Sequence, residues 1–490
     1  MIEDGAVYVD GGVIVAVGRA SELANRRADE VVGGPDVLVL PGFINAHHHV
    51  GLTPFQLGIP DLPLEVWIAA RLGARSVDPY LDTLYSAFEM VSSGVTTVQH
   101  LHGHMFSPPE TWAGEIDAIL RAYRDVGMRV SFSSGIVEQD TLVLDQDSFL
   151  ATLPAPLRER FDAMPRSDRV PIEEQLAASF TDVLSRWGGN KDGRIRIQLA
   201  PQNLHWVSDK GLAAIRDIAT DHGAGMHMHL LESPYQKEYA RRRTGRSAVA
   251  HLHELGLLGE GLTLGHGVWL SEADIDLVAE TGTLVCHNPS SNLRLRSGVA
   301  PVNELLRRGV RVAIGIDEAG VNDDRDMLQE MRMALNLHRE PGVDSPSPSA
   351  ADVLSMATEN GALTTGFGDG IGAIAPGKAA DLVLLDWKAI SAPYLAPDVP
   401  VLDAVLYRGR ASAVRTVIVD GRVIYKDGAF TTVDRAALMR SLASSLAAAP
   451  GAADRARKEL ADALVPRVRE FLREWSVDGG EPFYRLNGRS

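Results

Sequence analysis

Eight short apolar segments recur along the chain with helix-like segments between them, and this alternation limits the fold more than any other feature. The strand-like segments cover residues 37–49, 96–104, 129–137, 194–201, 225–231, 262–270, 283–289 and 310–317. Amphipathic helical patterns lie between most of them, among others at 80–92, 115–126, 172–187, 209–222, 272–280 and 326–338. Strands separated by helices predict parallel pairing, because each crossover must return the chain to the same end of the sheet. Eight such units predict a (β/α)8 TIM-like barrel, with its site where strands end and βα loops begin.

The two ends of the chain carry a different pattern. Residues 6–18 read as two strands joined at Gly11-Gly12, and residues 381–386, 414–419 and 422–425 read as strands with Asp-Gly turns. The fold class is therefore α/β, with a small β-sandwich domain built from both chain ends. The expected division is 1–40 and 372–433 for the small β domain, 41–371 for the barrel and 434–490 for a C-terminal helical extension. That extension holds helical patterns at 434–448 and 452–475, placed against the barrel or a second subunit, and an aromatic tail that is docked or frayed. The third crossover, 138–190, is longer than a connection needs. It contains one clear helix after a Pro-, Asp- and Arg-rich stretch, which shapes substrate access or is a disordered surface insertion.

Composition narrows the partners. Of 490 residues, 48 are Lys or Arg and 64 Asp or Glu, a net charge of −16 with no basic stripe. Nucleic-acid binding needs clustered cations and is not expected. No apolar run approaches the ~18 residues that cross a bilayer, so no membrane partner is expected either. The opening Met-Ile-Glu-Asp-Gly lacks both parts of a secretory signal, and a single cysteine, Cys286, fits a reducing cytoplasm. A small-molecule substrate is the partner that remains.

The ends of the predicted strands carry the chemistry. In Pro41-Gly-Phe-Ile-Asn-Ala-His-His-His49, His47 and His49 lie two apart and project from one face of a strand, half of a tetrahedral metal site. His48 points the other way. The fifth strand ends Met226-His-Met-His-Leu-Leu-Glu-Ser233, where His227 and His229 again share a face and Glu232 lies just past the end. His266 follows on the sixth strand, and Asp317 ends the eighth at the barrel mouth. His222, His251, His253 and His338 fall on helical patterns and read as surface or packing residues. Candidate substrate contacts are Trp67, His100, His102, His104, Gln202, His205 and Trp269. His100, His102 and His104 alternate along one face of the second strand and are expected to point inward, as substrate hydrogen-bonding groups or as a polar layer. Cys286 reads as a small core residue.

These segments resemble the amidohydrolase superfamily, specifically its deaminase and triazine-hydrolase branch. The resemblance rests on Pro41 to His49, His229-Leu-Leu-Glu232, Leu264-Gly-His-Gly, His287-Asn-Pro-Ser-Ser-Asn-Leu-Arg-Leu, Gly315-Ile-Asp317 and Ile371-Gly-Ala-Ile-Ala-Pro-Gly-Lys-Ala-Ala-Asp381. It implies that His47, His49, His229 and Asp317 bind one divalent metal, zinc first, with iron, manganese or cobalt compatible. It implies Glu232 as proton shuttle and His266 as a group that orients or polarises the substrate. His227 is the rival ligand on its strand. The fourth strand ends Leu-Ala-Pro-Gln-Asn203 without the lysine that bridges two metals in binuclear relatives, so one metal is expected. Glu318 and Arg296 stand where the branch commonly has small residues. Assembly into a homo-oligomer is implied as well.

The expected function is a metal-dependent hydrolase that deaminates a heteroaromatic amine of purine, pterin, pyrimidine or triazine type, a metal-activated water attacking an sp² carbon. The alternatives are cleavage of an amide, carbamate, urea or aryl-halide bond by the same site, and, from another class, a non-catalytic barrel scaffold.

Overall fold

Between Pro41 and Phe43 the chain passes from one sheet to another, so the expected strand 37–49 is in fact two. The computed structural model describes residues 1–49, 51–189, 193–477 and 480–484. Strands β1 (Gly5–Asp10) and β2 (Val13–Arg19) form a hairpin, and β3 (Val37–Pro41) joins the second sheet of the chain ends. β4 (Phe43–His48) opens the barrel. The crossing sits at Gly42, whose position against Thr96 leaves no room for a Cβ. Reading residues 37–49 as one strand failed because apolar character continues across the switch.

The barrel continues through β5 (Val95–His102), β6 (Arg129–Ile136), β7 (Ile195–Pro201), β8 (Met226–Leu230), β9 (Leu262–His266), β10 (Leu284–His287) and β11 (Val312–Ile314). Strands β4 to β11 pair in sequence order, all parallel. Closure comes just past β11, where the Asp317 N–H donates to the His47 carbonyl at 2.8 Å and the Ile316 N–H to Asn45 Oδ1 at 2.9 Å. Lower in the barrel, Gln198 Nε2 donates to Gln99 Oε1 at 3.0 Å and Gln99 Nε2 to Ser133 Oγ at 2.9 Å. This polar layer fixes the inward face of β5 as the one carrying Gln99.

The second sheet orders β15 (Ala429–Phe430), β14 (Arg422–Lys426), β13 (Val414–Val419), β12 (Leu382–Asp386) and β3, all antiparallel. A lone hairpin such as β1–β2 is marginal in water. Here it is held by bonds from Ile14 N–H to the Lys378 carbonyl and from Ala380 N–H to the Gly12 carbonyl, both 2.8 Å, and by Ile14 packing among Leu382, Leu384 and Ile418.

The long crossover is folded, which removes the reading as a disordered insertion. It contains helices Gln146–Ala151 and Ala155–Asp162, then Ile172–Leu176 and Asp182–Trp187 joined by a π-helical turn at Ala177–Thr181. Leu142, Phe149 and Phe161 pack with Leu460, Leu464, Val468 and Leu472 of the C-terminal helix Ala452–Arg473. Those last four are spaced by four residues and so form one apolar stripe. The same helix covers Val66 and Ala69 of the Leu64–Arg71 helix, so its partner lies within this chain. In the tail, the Tyr484 hydroxyl accepts from the Asn303 N–H at 2.8 Å, while residues 485–490 lie outside the described residues.

Arg129, at the start of β6, ties the two sheets together. Its guanidinium is 5% exposed and meets Asp381 at 2.6 Å and Asp420 at 2.9 Å. Removing one partner from a buried ionic cluster leaves uncompensated charge, at a cost of about 3–5 kcal/mol. We expect Arg129→Met to lower the unfolding free energy by that amount, read from urea unfolding followed by circular dichroism. Arg158→Met, which breaks an exposed pair with Asp162, should leave the midpoint unmoved.

Candidate metal centre and active site

Three imidazole nitrogens and a carboxylate oxygen meet at the C-terminal mouth of the barrel. His47 Nε2 lies 3.0 Å from His49 Nε2, which lies 3.1 Å from His229 Nε2. Asp317 Oδ1 is 3.2 Å from His49 Nε2 and 3.6 Å from His47 Nε2. Four donors bound at 2.0–2.1 Å in a tetrahedron stand about 3.3 Å apart, so the set fits an ion such as zinc.

The outer hydrogen bonds define what these nitrogens carry. His49 Nδ1 donates to the Leu101 carbonyl and His229 Nδ1 to the Gln202 carbonyl, both at 2.7 Å. A carbonyl only accepts, so each Nδ1 holds a hydrogen, and Nε2 is the atom each ring turns to the centre. The two Nε2 atoms, 3.1 Å apart, face one point, where a shared proton or a bound cation relieves their repulsion. Burial holds the His47 and His229 imidazoles well below their usual range, so both are neutral, as ligands must be. His227 stands elsewhere: its Nε2 meets His47 Nδ1 at 2.8 Å, behind His47. His48 faces away, toward the Asp317 carbonyl and Ser86.

The backbone around the centre is built tightly. His266 has φ 73° and Asp317 φ 62°, left-handed conformations that cost energy in non-glycine residues and concentrate at functional sites. At Gly315 a Cβ would overlap Asn288 Oδ1 and crowd the backbone of His47. His266 Nδ1 donates to Asn292 Oδ1 at 2.9 Å, which leaves Nε2 facing Glu232 Oε2 at 3.5 Å. Ser291 Oγ donates to Asp317 Oδ2 at 2.6 Å.

The two carboxyls of the site are driven in opposite directions. Burial, then the charges of Asp317 and Glu65, push the Glu232 carboxyl well above its usual range. For Asp317, burial also acts upward, but a hydrogen bond from His49 and the charges of His49 and His266 outweigh it and hold the group low. A pair separated in this way divides acid and base roles.

A cavity of about 590 Å³ opens above the centre. His49, His229, Glu232, His266 and Asp317 line its inner end, with Trp67, Gln202, Trp206 and Leu295 along its walls. Trp269 and His205 are not among its lining residues: Trp269 Nε1 donates to the Ser297 carbonyl, and His205 is buried beside Trp206 and Tyr239. The inward orientation expected for His100, His102 and His104 is reversed. His100 Nδ1 meets the Tyr123 hydroxyl at 2.8 Å, and His102 and His104 turn to Glu115, all on the Pro109–Val126 helix outside the strand. Alternation puts these three on one face, while Gln99 and Leu101 occupy the other. His100 and His102 nevertheless both line the cavity.

Several participants carried no sequence signal. Glu65, in the Leu64–Arg71 helix, is 5% exposed and accepts from Ser233 Oγ, directly behind Glu232. Asn292 and Ser291 lie within the quoted His287 segment but without assigned roles. Glu318 pairs with Arg71 at 2.7 Å on the cavity wall, which gives that departure from the branch a partner. Cys286 is a buried core residue whose thiol burial pushes far up.

With this geometry in view, comparison with known proteins decides the family. Residues 38–424 match the model of the amidohydrolase family. The chain belongs to the amidohydrolase family. Members of this family are metal-dependent hydrolases, and this one acts on C–N bonds. It is 34% identical over 441 residues to the 5-methylthioadenosine/S-adenosylhomocysteine deaminase of Syntrophobacter fumaroxidans, covering 88% of this chain and 90% of that protein. It is 32% identical over 450 residues to the 5'-deoxyadenosine deaminase of Methanothermobacter thermautotrophicus, covering 89% and 94%. Among solved structures, an adenosine deaminase from Xanthomonas campestris with bound zinc superposes with a TM-score of 0.76 at 30% identity, covering 93% of this chain and 94% of that one. A triazine hydrolase from Arthrobacter aurescens shares the fold at 21% identity and the same TM-score. Among the described residues, no helix is long and apolar enough to cross a membrane.

Burial pushes the Glu65 carboxyl up to about 7 from an ordinary 4.5. The folded state therefore binds this proton more tightly than the unfolded chain does. The associated stability is complete below about pH 4.5 and is lost as pH rises toward 7, a difference on the order of 3 kcal/mol. Glu65→Gln removes that titration. Between pH 5 and 8 the wild-type urea midpoint should fall more steeply than that of the variant.

Proposed function

We propose that this amidohydrolase removes the exocyclic amine of an adenosine-like aminopurine, using one ion held by His47, His49, His229 and Asp317. The carrying observation is the convergence of the His47, His49 and His229 Nε2 atoms on Asp317, which is held low, with Glu232, pushed well up, at the same cavity floor. When bound, a divalent ion acts as a Lewis acid and lowers the pKa of a water from 15.7 to about 7. Zinc is the proposed ion, supported by the donor set and by the zinc in the Xanthomonas adenosine deaminase.

The chain's own groups then divide the proton work. Glu232 gives its proton to a ring nitrogen as the neighbouring carbon turns tetrahedral. Asp317 takes one proton from the attacking water and passes it to the amine, which leaves as ammonia, and the remaining hydroxyl proton returns to Glu232 as the carbonyl forms. His266, with its hydrogen on Nδ1 and anchored by Asn292, orients the substrate through Nε2. His227 fixes the tautomer of His47 from behind. Gln202 lines the cavity, and Trp67 offers an aromatic wall to a planar ring. A cavity of about 590 Å³ accommodates a nucleoside. The domain limits given above, a cytoplasmic location and a homo-oligomeric state complete this reading, the location supported by the single cysteine and the assembly by the family resemblance.

The test is ammonia release by zinc-replete protein across aminopurine nucleosides, pterins, pyrimidines and triazines, with total substrate loss followed in parallel. Release from adenosine-type substrates is expected; substrate loss without ammonia would move the reading to amide, carbamate or halide cleavage. Glu232→Gln should keep its metal and lose about 10²–10⁴ in turnover. His229→Ala should lose the ion of the catalytic centre and activity together. His227→Ala should retain a metal bound about 10–100-fold more weakly, as measured by competition with a chelator.

A further inference from the structure

A second group of metal-type donors lies on the wall of the same cavity, away from the catalytic set. His102 ends β5 and His104 follows two residues later, so both project from the strand face opposite Leu101. The Pro109–Val126 helix brings Thr111, Trp112 and Glu115 against them, three positions that share one helical face. Glu115 Oε2 lies 3.2 Å from His104 Nδ1 and 3.7 Å from His102 Nε2. The three donor atoms all fall within 4.8 Å of one another. The two carboxylate–imidazole separations bracket the ~3.3 Å edge of a tetrahedron with 2.0–2.1 Å bonds.

The surroundings prepare the donors for an ion. Thr111 Oγ1 donates to Glu115 Oε1 at 2.7 Å, fixing the carboxylate so that Oε2 alone faces both histidines. The His104 ring stacks on Trp112 at 4.9 Å and 18°, which fixes its plane. His102 Nε2 is buried and makes no hydrogen bond. The His102 and Glu115 side chains are 21% and 23% exposed, on the side where both line the cavity.

We propose that His102, His104 and Glu115 form a second site for a borderline divalent cation such as zinc or cobalt, with its fourth coordination position open to the cavity. Two imidazoles and one carboxylate are a ligand set that suits such ions. The site is independent of the deaminase reading, because none of its residues belongs to the catalytic donor set.

Metal counting on the full chain tests it. Protein stripped with a chelator and dialysed against buffered zinc alone should bind two ions per chain. Glu115→Gln and His102→Asn should each bind one, His229→Ala one, and the His229→Ala/Glu115→Gln double variant none. The partly exposed His102 supplies the variant that keeps the fold if Glu115→Gln does not, with thermal melting as the check. Saturation of the wild type at one ion, lost in His229→Ala, would overturn the second site and leave the catalytic assignment standing. Two ions retained in both Glu115→Gln and His102→Asn would also overturn it.

Discussion

The seam between the first and last barrel strands is the constraint on which the rest of the site depends. The Asp317 N–H bonded to the His47 carbonyl, and Ile316 to Asn45, join β4 to the end of β11. That closure brings together residues 270 positions apart in sequence and holds Asp317 in its left-handed conformation. Gly315 lets the two chains approach, since no side chain would fit between His47 and Asn288. The donor atoms are thus placed by backbone pairing, and side-chain packing refines them.

Around this seam, electrostatics follows from burial. The site gathers several imidazoles and three carboxyls, Glu65, Glu232 and Asp317, in a nearly dry volume. Desolvation disfavours every charge there, so histidines stay neutral and carboxyls keep their protons unless a specific partner reverses the trend. Asp317 has such partners in His49 and Ser291, whereas the long hydrogen bond from Ser297 Oγ to Glu232, 3.4 Å, does not reverse it. The separation of their proton affinities is therefore a product of position. Glu65 adds a further buried carboxyl behind Glu232, and Ser233 satisfies it.

The elements remote from the chemistry still shape the cavity. The C-terminal helix and the long third crossover share one apolar cluster, which also holds the Leu64–Arg71 helix against the barrel mouth. Trp67 and Arg71 on that helix line the cavity. An extension placed far downstream in sequence thus supports the wall of the substrate space.

Much of this was legible before the fold was known. Strand ends, the spacing of His47 with His49, and Glu232 three residues beyond His229 are local facts, because strand periodicity is fixed by backbone geometry. The parallel barrel follows from alternation alone, and so does the second sheet from the two chain ends. What local pattern lacked was direction. Alternation puts His100, His102 and His104 on one face without saying that the face is the outer one; only the polar layer through Gln99 and Gln198 decides it. It likewise leaves His227 and His229 equivalent until packing sets one beside His49 and the other behind His47. Apolar character ran unbroken through Gly42, so the switch between sheets was visible only in the pairing. The sequence by itself determined which chemical groups are present and at which strand ends, because covalent spacing and backbone period are local. The tertiary structure alone decided which of them face one another, because that depends on contacts between residues hundreds of positions apart.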